Sequence, residues 1–434
     1  MDMKKETEAN RKKDISKLDE IISKEFTDLQ DLSKVDTKVK NWLTTGVYAL
    51  NYCMSKNLYG GIPSGRVTAI DGKSGTGKSL LSAKAMSDPQ VDLIILIDVE
   101  GGGNGAELLE FAGVDPKKVR RLTANTFTSY KIVKKTGAIE EIKDNELPSK
   151  KLETEKFYYV EGITSKIRRL IQSVMINKID SNILLIIDSL ANIQSVRGLS
   201  GTQDVGKRSQ DINSFFKNFD VEFEKSNISL IFTNKLYTML DGTGRMVASG
   251  GQAAVYNPSI TVRLTDISST DDLSEAQLRK VSESRRTAFG RTIRLVRATV
   301  IKSRFGTEYR NVTFLIDMGY GPIKLSGLFG LCYEFGIIKK TSGAWFEMPG
   351  IFDSKFYKKN FIPMVMKDEE NIIKKIQKKL EQAEKKLRIE RSHFQIDVSE
   401  ELKDNESLEA EEKEIEASEE FSDMKKEMQK EIDI

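Results

Sequence analysis

Histidine, cysteine and tryptophan are scarce in this chain, whose 434 residues include one histidine, two cysteines and two tryptophans. The single histidine, His393, stands in a charged C-terminal stretch, which argues against histidine-dependent catalysis and against a histidine-ligated metal. Cys53 and Cys332 are far apart in the sequence and do not form a metal-binding pair. We therefore expect two buried thiols in a protein from a reducing compartment.

Long apolar runs are also missing. No stretch approaches the roughly 18 to 20 apolar residues that a membrane-spanning helix needs, and runs such as Ile183–Ile187 have the length of a strand. Residues 1–11 are charged and contain no apolar region of the kind that a signal peptide carries. We therefore expect a cytoplasmic protein that has no membrane attachment.

Charge is abundant but unevenly distributed. Charged residues make up 31% of the chain and hydrophobic residues 39%, which is typical of a globular protein with polar extensions. Residues 401–434 hold 14 acidic and 5 basic side chains, a net charge of −9, so the overall charge of +3 leaves +12 on the rest of the chain. A basic body with an acidic tail indicates a polyanionic partner, and the tail would compete with this partner for the same basic surface. A tail that only aids solubility is the alternative.

Short apolar runs alternate with helical segments from about residue 60 onward. Each run is nearly continuous in apolar residues, as expected of central parallel strands that are covered on both faces. The runs are Val67–Ile70, Leu93–Ile97, Ile183–Ile187 and Ile228–Phe232, and the helical stretches between them include Ser79–Met86 and Gly162–Asn177. This alternation predicts an α/β fold with a mostly parallel, doubly wound sheet, in which ligands bind at the carboxyl ends of the strands.

Changes in composition suggest how the chain divides. Residues 1–40 contain one amphipathic helical stripe, which packs within its own subunit or, as an oligomerisation segment, on a neighbouring subunit. We expect an α/β core over 41–320 with a polar surface insertion at 131–157, followed by a small α+β module over 321–367. Residues 368–434 are expected to form a charged helix and an acidic, disordered tail.

A glycine-rich segment follows the first apolar run and leads directly into a predicted helix. It fits the pattern G-x-x-x-x-G-K-[ST], in which backbone N–H groups and the amino end of a helix surround phosphate oxygens. Its residues are Gly72, Lys73, Ser74, Gly75, Thr76, Gly77, Lys78 and Ser79. In this pattern the lysine reaches the β- and γ-phosphates and the last hydroxyl binds Mg²⁺, so the segment predicts a site for ATP.

Carboxylates follow two more of the predicted strands. Asp188 comes directly after Ile183–Ile187 and fits the aspartate that holds Mg²⁺ beside a nucleotide, with a helix cap as the alternative. Glu100 is at the end of another predicted strand, Leu93–Asp98, and precedes three glycines, and there it could orient or deprotonate the attacking water. Asp98 competes with Glu100 for this role, and an exposed turn residue is the other interpretation of Glu100.

A polar pair and two loops complete the predicted strand edge. Asn234 and Lys235 are predicted to end the strand that contains Ile228–Phe232, and at this edge they could sense whether a γ-phosphate is present. Two glycine-rich loops leave the same edge, and both carry cations that could contact the phosphates of a polynucleotide. The loop residues singled out are Arg197, Lys207, Arg208, Arg245, Gly250 and Gly251. Ordinary flexible loops are the alternative.

Five segments carry a resemblance to a known family when they are taken in order. They are Gly61-Ile62-Pro63-Ser64-Gly65-Arg66, Leu96-Ile97-Asp98-Val99-Glu100, Ile187-Asp188-Ser189, Ile231-Phe232-Thr233-Asn234 and Gly343-Ala344-Trp345-Phe346. They resemble the entry to the phosphate loop, the catalytic-glutamate strand, the magnesium-aspartate strand, the strand before the second DNA loop and the C-terminal module of the RecA family of recombination ATPases. The resemblance spans about residues 40–350.

The resemblance implies a DNA-dependent ATPase that forms a helical filament on single-stranded DNA. Such a filament catalyses homologous pairing and strand exchange with duplex DNA, and it works with single-strand-binding or loader proteins. The DNA loops would be 197–208 and 239–251. The setting would be the cytoplasm of a bacterium or of a phage-infected host.

The resemblance also implies that ATP and Mg²⁺ lie between adjacent subunits. Glu100 and Lys78 would then be catalytic residues of one subunit. Lys302 and Arg304 would reach the γ-phosphate held by the neighbour and stabilise its charge. Tyr256 would lie at the subunit interface.

Several positions depart from the family pattern. Lys235 replaces the usual glutamine sensor, Glu107 stands where an aromatic residue contacts adenine, and Lys73 and Ser74 replace proline and glutamate in the phosphate loop. The insertion at 131–157 is foreign to bacterial members. These departures predict a phage-type (UvsX-like) or otherwise divergent member, whose nucleotide selectivity and coupling of ATP to DNA differ.

Two rival functions use the same core. A ring helicase would contain a large N-terminal primase-interacting domain, which this sequence lacks, and would form closed rings instead of filaments. A nucleotide-binding regulatory paralogue of a recombinase would not need the complete set Lys78, Glu100 and Asp188. The sequence therefore favours the recombinase.

Overall fold

The computed structural model describes residues 39–99, 109–110, 112–122, 129–132, 139–142, 160–193, 210, 212–216, 219–238, 246–249, 251–267 and 293–393. The chain falls into two compact units, which divide between Gly327 and Leu328. The amphipathic stripe within residues 1–40 and the acidic tail lie outside the described residues. The predicted segment boundaries stay predictions.

The strands in chain order are β1 (Trp42–Leu43), β2 (Ile62–Pro63), β3 (Val67–Gly72), β4 (Leu93–Asp98), β5 (Val119–Leu122), β6 (Ser129–Ile132), β7 (Ile139–Ile142), β8 (Ile183–Asp188), β9 (Ile228–Thr238), β10 (Met246–Ala248), β11 (Ile260–Asp266), β12 (Ile293–Ser303), β13 (Asn311–Asp317), β14 (Gly321–Pro322), β15 (Lys339–Lys340), β16 (Trp345–Glu347) and β17 (Phe356–Tyr357). The helices are α1 (Tyr48–Ser55), α2 (Lys78–Met86), α3 (Val160–Ile176), α4 (Asp220–Ser226), α5 (Gly251–Tyr256), α6 (Leu328–Glu334), α7 (Phe361–Met366) and α8 (Glu369–His393). Short 3-10 turns cover Pro116–Lys118, Leu190–Asn192 and Lys358–Asn360.

One large sheet organises the first unit. Within the described residues its order is β14-β13-β12-β11-β3-β9-β8-β4-β5, and β10 pairs with β9. The six strands from β11 to β5 are parallel to one another, whereas β12, β13 and β14 are added antiparallel at one side. The predicted α/β fold with a mostly parallel sheet is therefore confirmed.

Helices cover both faces of this sheet because its central strands are apolar on both sides. In β8 every residue is buried, and Ile183, Leu185 and Ile187 join the core cluster that includes helix α3. The alternate residues of a strand point to the opposite face, where α2 contacts β3, β8 and β9. Helix α3 contributes a buried stripe at helical spacing, formed by Ile163, Ile167, Ile171 and Val174.

The parallel strands are longer than their apolar runs. The first apolar run ends at Ile70, but β3 continues through Asp71 and Gly72, which pair with Asn234 and Lys235 of β9. Strand β9 itself continues to Thr238 because its last residues pair with β10. The prediction that Asn234 and Lys235 end the strand is therefore wrong, because the strand continues to Thr238.

The second unit is described as far as residue 393, and in that part it contains a small antiparallel sheet and three α-helices. Strands β15, β16 and β17 pair in that order, and an aromatic cluster of Phe329, Phe346, Phe356 and Phe361 packs beside them. Helix α8 begins in charged sequence and buries Ile372, Ile373, Ile376 and Leu380. A small α+β module followed by a charged helix is what the sequence predicts for this region.

Three smaller observations bear on the remaining predictions. Both cysteines are buried, as predicted, and burial raises the pKa of the Cys332 thiol to about 12. None of the helices in the described part of the chain is long and apolar enough to cross a membrane. Strands β6 and β7 form an antiparallel pair at the start of the predicted insertion.

Candidate nucleotide site

The glycine-rich segment forms a loop between β3 and α2. Gly75 and Gly77 have positive φ angles of 74° and 88°, which glycine adopts without steric cost. Gly77 is the N-cap of α2, and no side chain bonds to the helix amino end there. The N–H groups of the first helical turn therefore suit an anionic ligand.

Lys78 lies against the inner side of this loop. Its ammonium donates hydrogen bonds to the carbonyl oxygens of Gly72 (3.1 Å) and Lys73 (2.8 Å), and the residue is buried. The Thr76 hydroxyl donates to the same Lys73 carbonyl at 3.0 Å. These bonds close the loop around the buried ammonium of Lys78. A phosphate oxygen would accept a stronger hydrogen bond from this ammonium than a carbonyl oxygen does.

Close packing requires glycine at two positions of the loop. A Cβ atom on Gly77 would lie 2.6 Å from Cδ1 of Ile316, and one on Gly72 would lie 2.8 Å from the carbonyl oxygen of Leu264. The second contact is with rigid backbone. The loop therefore has no room for larger residues at these points, although Lys73, Ser74 and Gly75 are exposed.

The carboxyl ends of neighbouring strands bring acidic residues to the same edge. Asp98 of β4 pairs in register with Asp188 of β8, and both carboxylates are buried. The hydroxyl of Thr233, on β9, donates a 2.5 Å hydrogen bond to Oδ1 of Asp188. Arg121 of β5 donates to Oδ2 of Asp98 at 2.7 Å. Asp98 is thus held in an ion pair, whereas Asp188 is oriented by a neutral hydroxyl.

The predicted sensor pair links the sheet to the segment after β10. The amide nitrogen of Asn234 donates to the carbonyl oxygen of Ser249 at 2.7 Å, and the backbone N–H of Ser249 donates to the carbonyl of Lys235 at 3.0 Å. Ser249 directly precedes the glycine pair that ends the predicted second DNA loop. Its position therefore depends on β9.

An arginine from β12 contacts the tip of the phosphate loop. Nη1 of Arg294 donates to the carbonyl oxygen of Gly75 at 2.6 Å and to Oδ2 of Asp266 at 3.2 Å. Arg294 is partly exposed, so the ion pair adds little stability by itself. Its effect is to tether the loop to the antiparallel side of the sheet.

Asp71, the last residue before the loop pattern, is completely buried. Burial raises the pKa of its carboxyl to about 7, although the nearby cations of Arg263 and Lys78 act in the opposite direction. Nη2 of Arg263 lies 4.0 Å from Oδ2 of Asp71. Neither carboxyl oxygen has a hydrogen-bond partner.

The residues predicted to act on a neighbour's nucleotide cluster elsewhere. The Lys302 ammonium donates to the carbonyl oxygens of Tyr256 and Pro258, and Nη2 of Arg304 donates to that of Asn257 at 3.3 Å. Lys302 of β12 pairs with Thr261 of β11, and Thr261 pairs with Ala69 of β3. Lys302 therefore lies at the level of Ala69 in the sheet. Three residues of strand separate this level from Gly72, about 10 Å along the sheet. Tyr256 is 64% exposed at the same place.

Some predicted site residues lie outside the described residues. These are Glu100, Arg197, Lys207, Arg208, Arg245 and Gly250, while Gly251 begins α5. Within the described ranges there is no group of three or more histidine, cysteine or acidic side chains that could hold a metal alone.

Sequence reasoning missed Thr233, Arg294 and Asp71 as site residues. A threonine and an aspartate inside otherwise apolar strands are a usable signal, because a buried polar side chain needs a partner. Asp71 stands outside the predicted strand, because the apolar run ends at Ile70, two residues before β3 ends. Arg294 gave no local signal, since its contact with Gly75 joins residues 219 positions apart.

Comparison with known proteins gives a consistent set of relatives. No family model matches the chain. Protein RecA of Chlorobaculum tepidum is 25% identical over 313 residues, which cover 70% of this chain and 73% of the relative. Protein RecA of Streptomyces rimosus is 24% identical over 333 residues (74% and 72%), and that of Streptomyces coelicolor is 23% identical over 350 residues (78% and 76%).

Proposed function

Because this chain is a divergent member of the RecA family, we propose that it is a DNA-dependent ATPase that forms a helical filament on single-stranded DNA and catalyses homologous pairing and strand exchange. The observation that carries the proposal is the glycine-rich loop with its buried Lys78, near Asp188 at the end of β8 and Asn234 within β9. We propose that it acts in the cytoplasm, together with loader or single-strand-binding proteins.

ATP and Mg²⁺ fit the residues at this edge. Lys78 and the N–H groups at the start of α2 would hold the phosphates, and Ser79 and Asp188 would hold Mg²⁺, which neutralises charge on the transferred phosphoryl group. The hydroxyl of Thr233 donates to Oδ1 of Asp188 and would orient this carboxylate toward the metal or its water. Glu100 remains our proposal for the residue that orients the attacking water.

The link between nucleotide and DNA would run through β9. Asn234 and Lys235 pair with Asp71 and Gly72 on one side, and both bond to Ser249 on the other. A change at the phosphate loop would therefore displace the strand from which the second proposed DNA loop departs. Arg245, Gly250 and Gly251 would contact DNA in that loop, and Arg197, Lys207 and Arg208 in the first.

Lys302 and Arg304 would complete the site of an adjacent subunit. Their level in the sheet, away from their own phosphate loop, supports action on a neighbour's nucleotide over action on their own. Tyr256 supplies an exposed aromatic surface beside them, which suits a subunit interface. We therefore propose that ATP hydrolysis requires the assembled filament.

The deciding measurement is steady-state ATP hydrolysis with and without single-stranded DNA, with Lys78→Ala as the matched blank. We expect strong stimulation by DNA in the native chain and no turnover in the variant. Electron microscopy of the same mixture should show helical filaments, whereas a ring helicase would form closed rings.

Two results would contradict the proposal. Normal turnover by Lys78→Ala would remove the phosphate loop from the active site. Hydrolysis that is indifferent to DNA would break the link between the nucleotide site and the two loops, and it would favour a regulatory role.

A further inference from the structure

Buried polar atoms without a hydrogen-bond partner collect beneath the phosphate loop. They include both carboxyl oxygens of Asp71, Oδ1 of Asn234 and Nε of Arg263. Asp71 pairs in register with Asn234 on one side and with Arg263 on the other. Residues in register emerge on the same face of a sheet, so the three side chains are direct neighbours.

Whatever an ionised Asp71 accepts from Arg263, it leaves Oδ1 of Asn234 without a donor. A carboxylate only accepts hydrogen bonds, and Oδ1 of Asn234 is also an acceptor. The amide nitrogen of Asn234 is already directed to Ser249. A protonated Asp71, in contrast, has one O–H donor, which matches the single empty acceptor of Asn234.

We propose that Asp71 is a proton-dependent positioning residue for ATP: in its neutral form it donates to Oδ1 of Asn234, and in its ionised form it competes with the phosphates for Lys78. This inference rests on the proposed nucleotide site. The neutral form ties β3 to Ser249 through Asn234, and it leaves the ammonium of Lys78 to the nucleotide.

The electrostatic surroundings agree with this geometry. Among the residues that the structure describes, the charged groups that act on Asp71 are Arg263 from β11 and Lys78 from α2, while β9 presents the neutral Asn234. The pKa of Asp71 is about 7 with both cations in place. Phosphates on Lys78 would offset one of these cations, which would raise the pKa further. ATP binding would therefore take up a proton.

A proton taken up on binding makes the affinity depend on pH. Above the pKa of the nucleotide-free protein, the affinity for MgATP should fall by up to about tenfold per pH unit. Asp71→Asn carries a permanent neutral donor of nearly the same shape. Its affinity should change only because ATP itself titrates.

The test is isothermal titration calorimetry of MgATP binding to the full chain between about pH 6 and 8.5. Native protein and Asp71→Asn are compared in two buffers of different ionisation enthalpy. Titration of ATP cancels in the ratio of their dissociation constants, and Asp353→Asn, at an exposed position, controls for the loss of a carboxylate. We expect the dissociation constant of the native protein, divided by that of Asp71→Asn, to rise with pH above about 7. The native protein should also take up more protons on binding.

Two results would overturn the inference. Parallel pH profiles for native protein and Asp71→Asn would do so while leaving the proposed function intact. Absence of MgATP binding in both proteins would overturn the proposed function, and this inference with it.

A second variant tests the same idea with Asp71 unchanged. Arg263→Gln removes a cation that favours the carboxylate, so the pH at which the affinity begins to fall should move upward. A purely structural role for Arg263 would change the affinity by the same factor at every pH. An unmoved profile would therefore count against Asp71 as the titrating group.

Discussion

The substitution Asp71→Asn should change the pH dependence of folding itself, whether or not a nucleotide is present. Asp71 is completely buried, and burial raises the pKa of its carboxyl from 3.8 to about 7. The folded protein therefore keeps a proton that the unfolded chain releases at lower pH. The favourable contribution of neutral Asp71 is full below pH 3.8 and is lost as the pH rises toward 7.

The magnitude follows from the size of the pKa change. A rise of about three units corresponds to about 4 kcal/mol between the two limits, at 1.4 kcal/mol per unit. Over the accessible range from pH 5 to pH 8, the free energy of unfolding of the native chain should fall by about 3 kcal/mol relative to that of Asp71→Asn. The asparagine variant has no proton to lose at this position.

Urea-induced unfolding at several pH values measures this difference. The chain has two tryptophans, and in a Trp345→Phe background the fluorescence of Trp42 reports on the unit that contains Asp71. Trp42 packs edge-to-face on Phe305, with ring centroids 5.0 Å apart, so its emission should respond to unfolding. Other titrating groups cancel in the comparison. A difference between the variants that does not change with pH would refute the reasoning.

Two further predictions concern the neighbouring residues. Thr233→Val removes the 2.5 Å hydrogen bond to Asp188, so the variant should lose about 1–3 kcal/mol of stability. It should also need more Mg²⁺ for half-maximal ATP hydrolysis. An unchanged magnesium titration would show that Thr233 does not orient Asp188. Lys302→Ala should reduce DNA-stimulated hydrolysis while isolated protomers still bind ATP, as measured by turnover and by calorimetry. Unchanged stimulated turnover would remove Lys302 from the proposed site of the neighbouring subunit.

The phosphate loop could be recognised without any structure because its chemistry is local. Gly72 to Ser79 are consecutive, and the apolar run before them and the helix after them are visible in the sequence. The same holds for the central strands, whose apolar residues mark them as buried on both sides. Strand ends are predicted less accurately. The apolar run of β3 stops before the polar Asp71, and the polar Asn234 and Lys235 are predicted to end β9, whereas pairing with adjacent strands continues both strands beyond these points.

The sequence by itself determined the α/β fold class, the phosphate loop and the aspartate that ends β8, since each depends on neighbouring residues or on simple alternation. Only the tertiary structure decided which distant residues meet. Thr233 reaches Asp188 across 45 positions and Arg294 reaches Gly75 across 219, and Asp71 lies between Asn234 and Arg263 because three strands align in one register. Register depends on the pairing of whole strands, so no local pattern shows that this buried carboxyl lies beside an amide acceptor and makes no hydrogen bond.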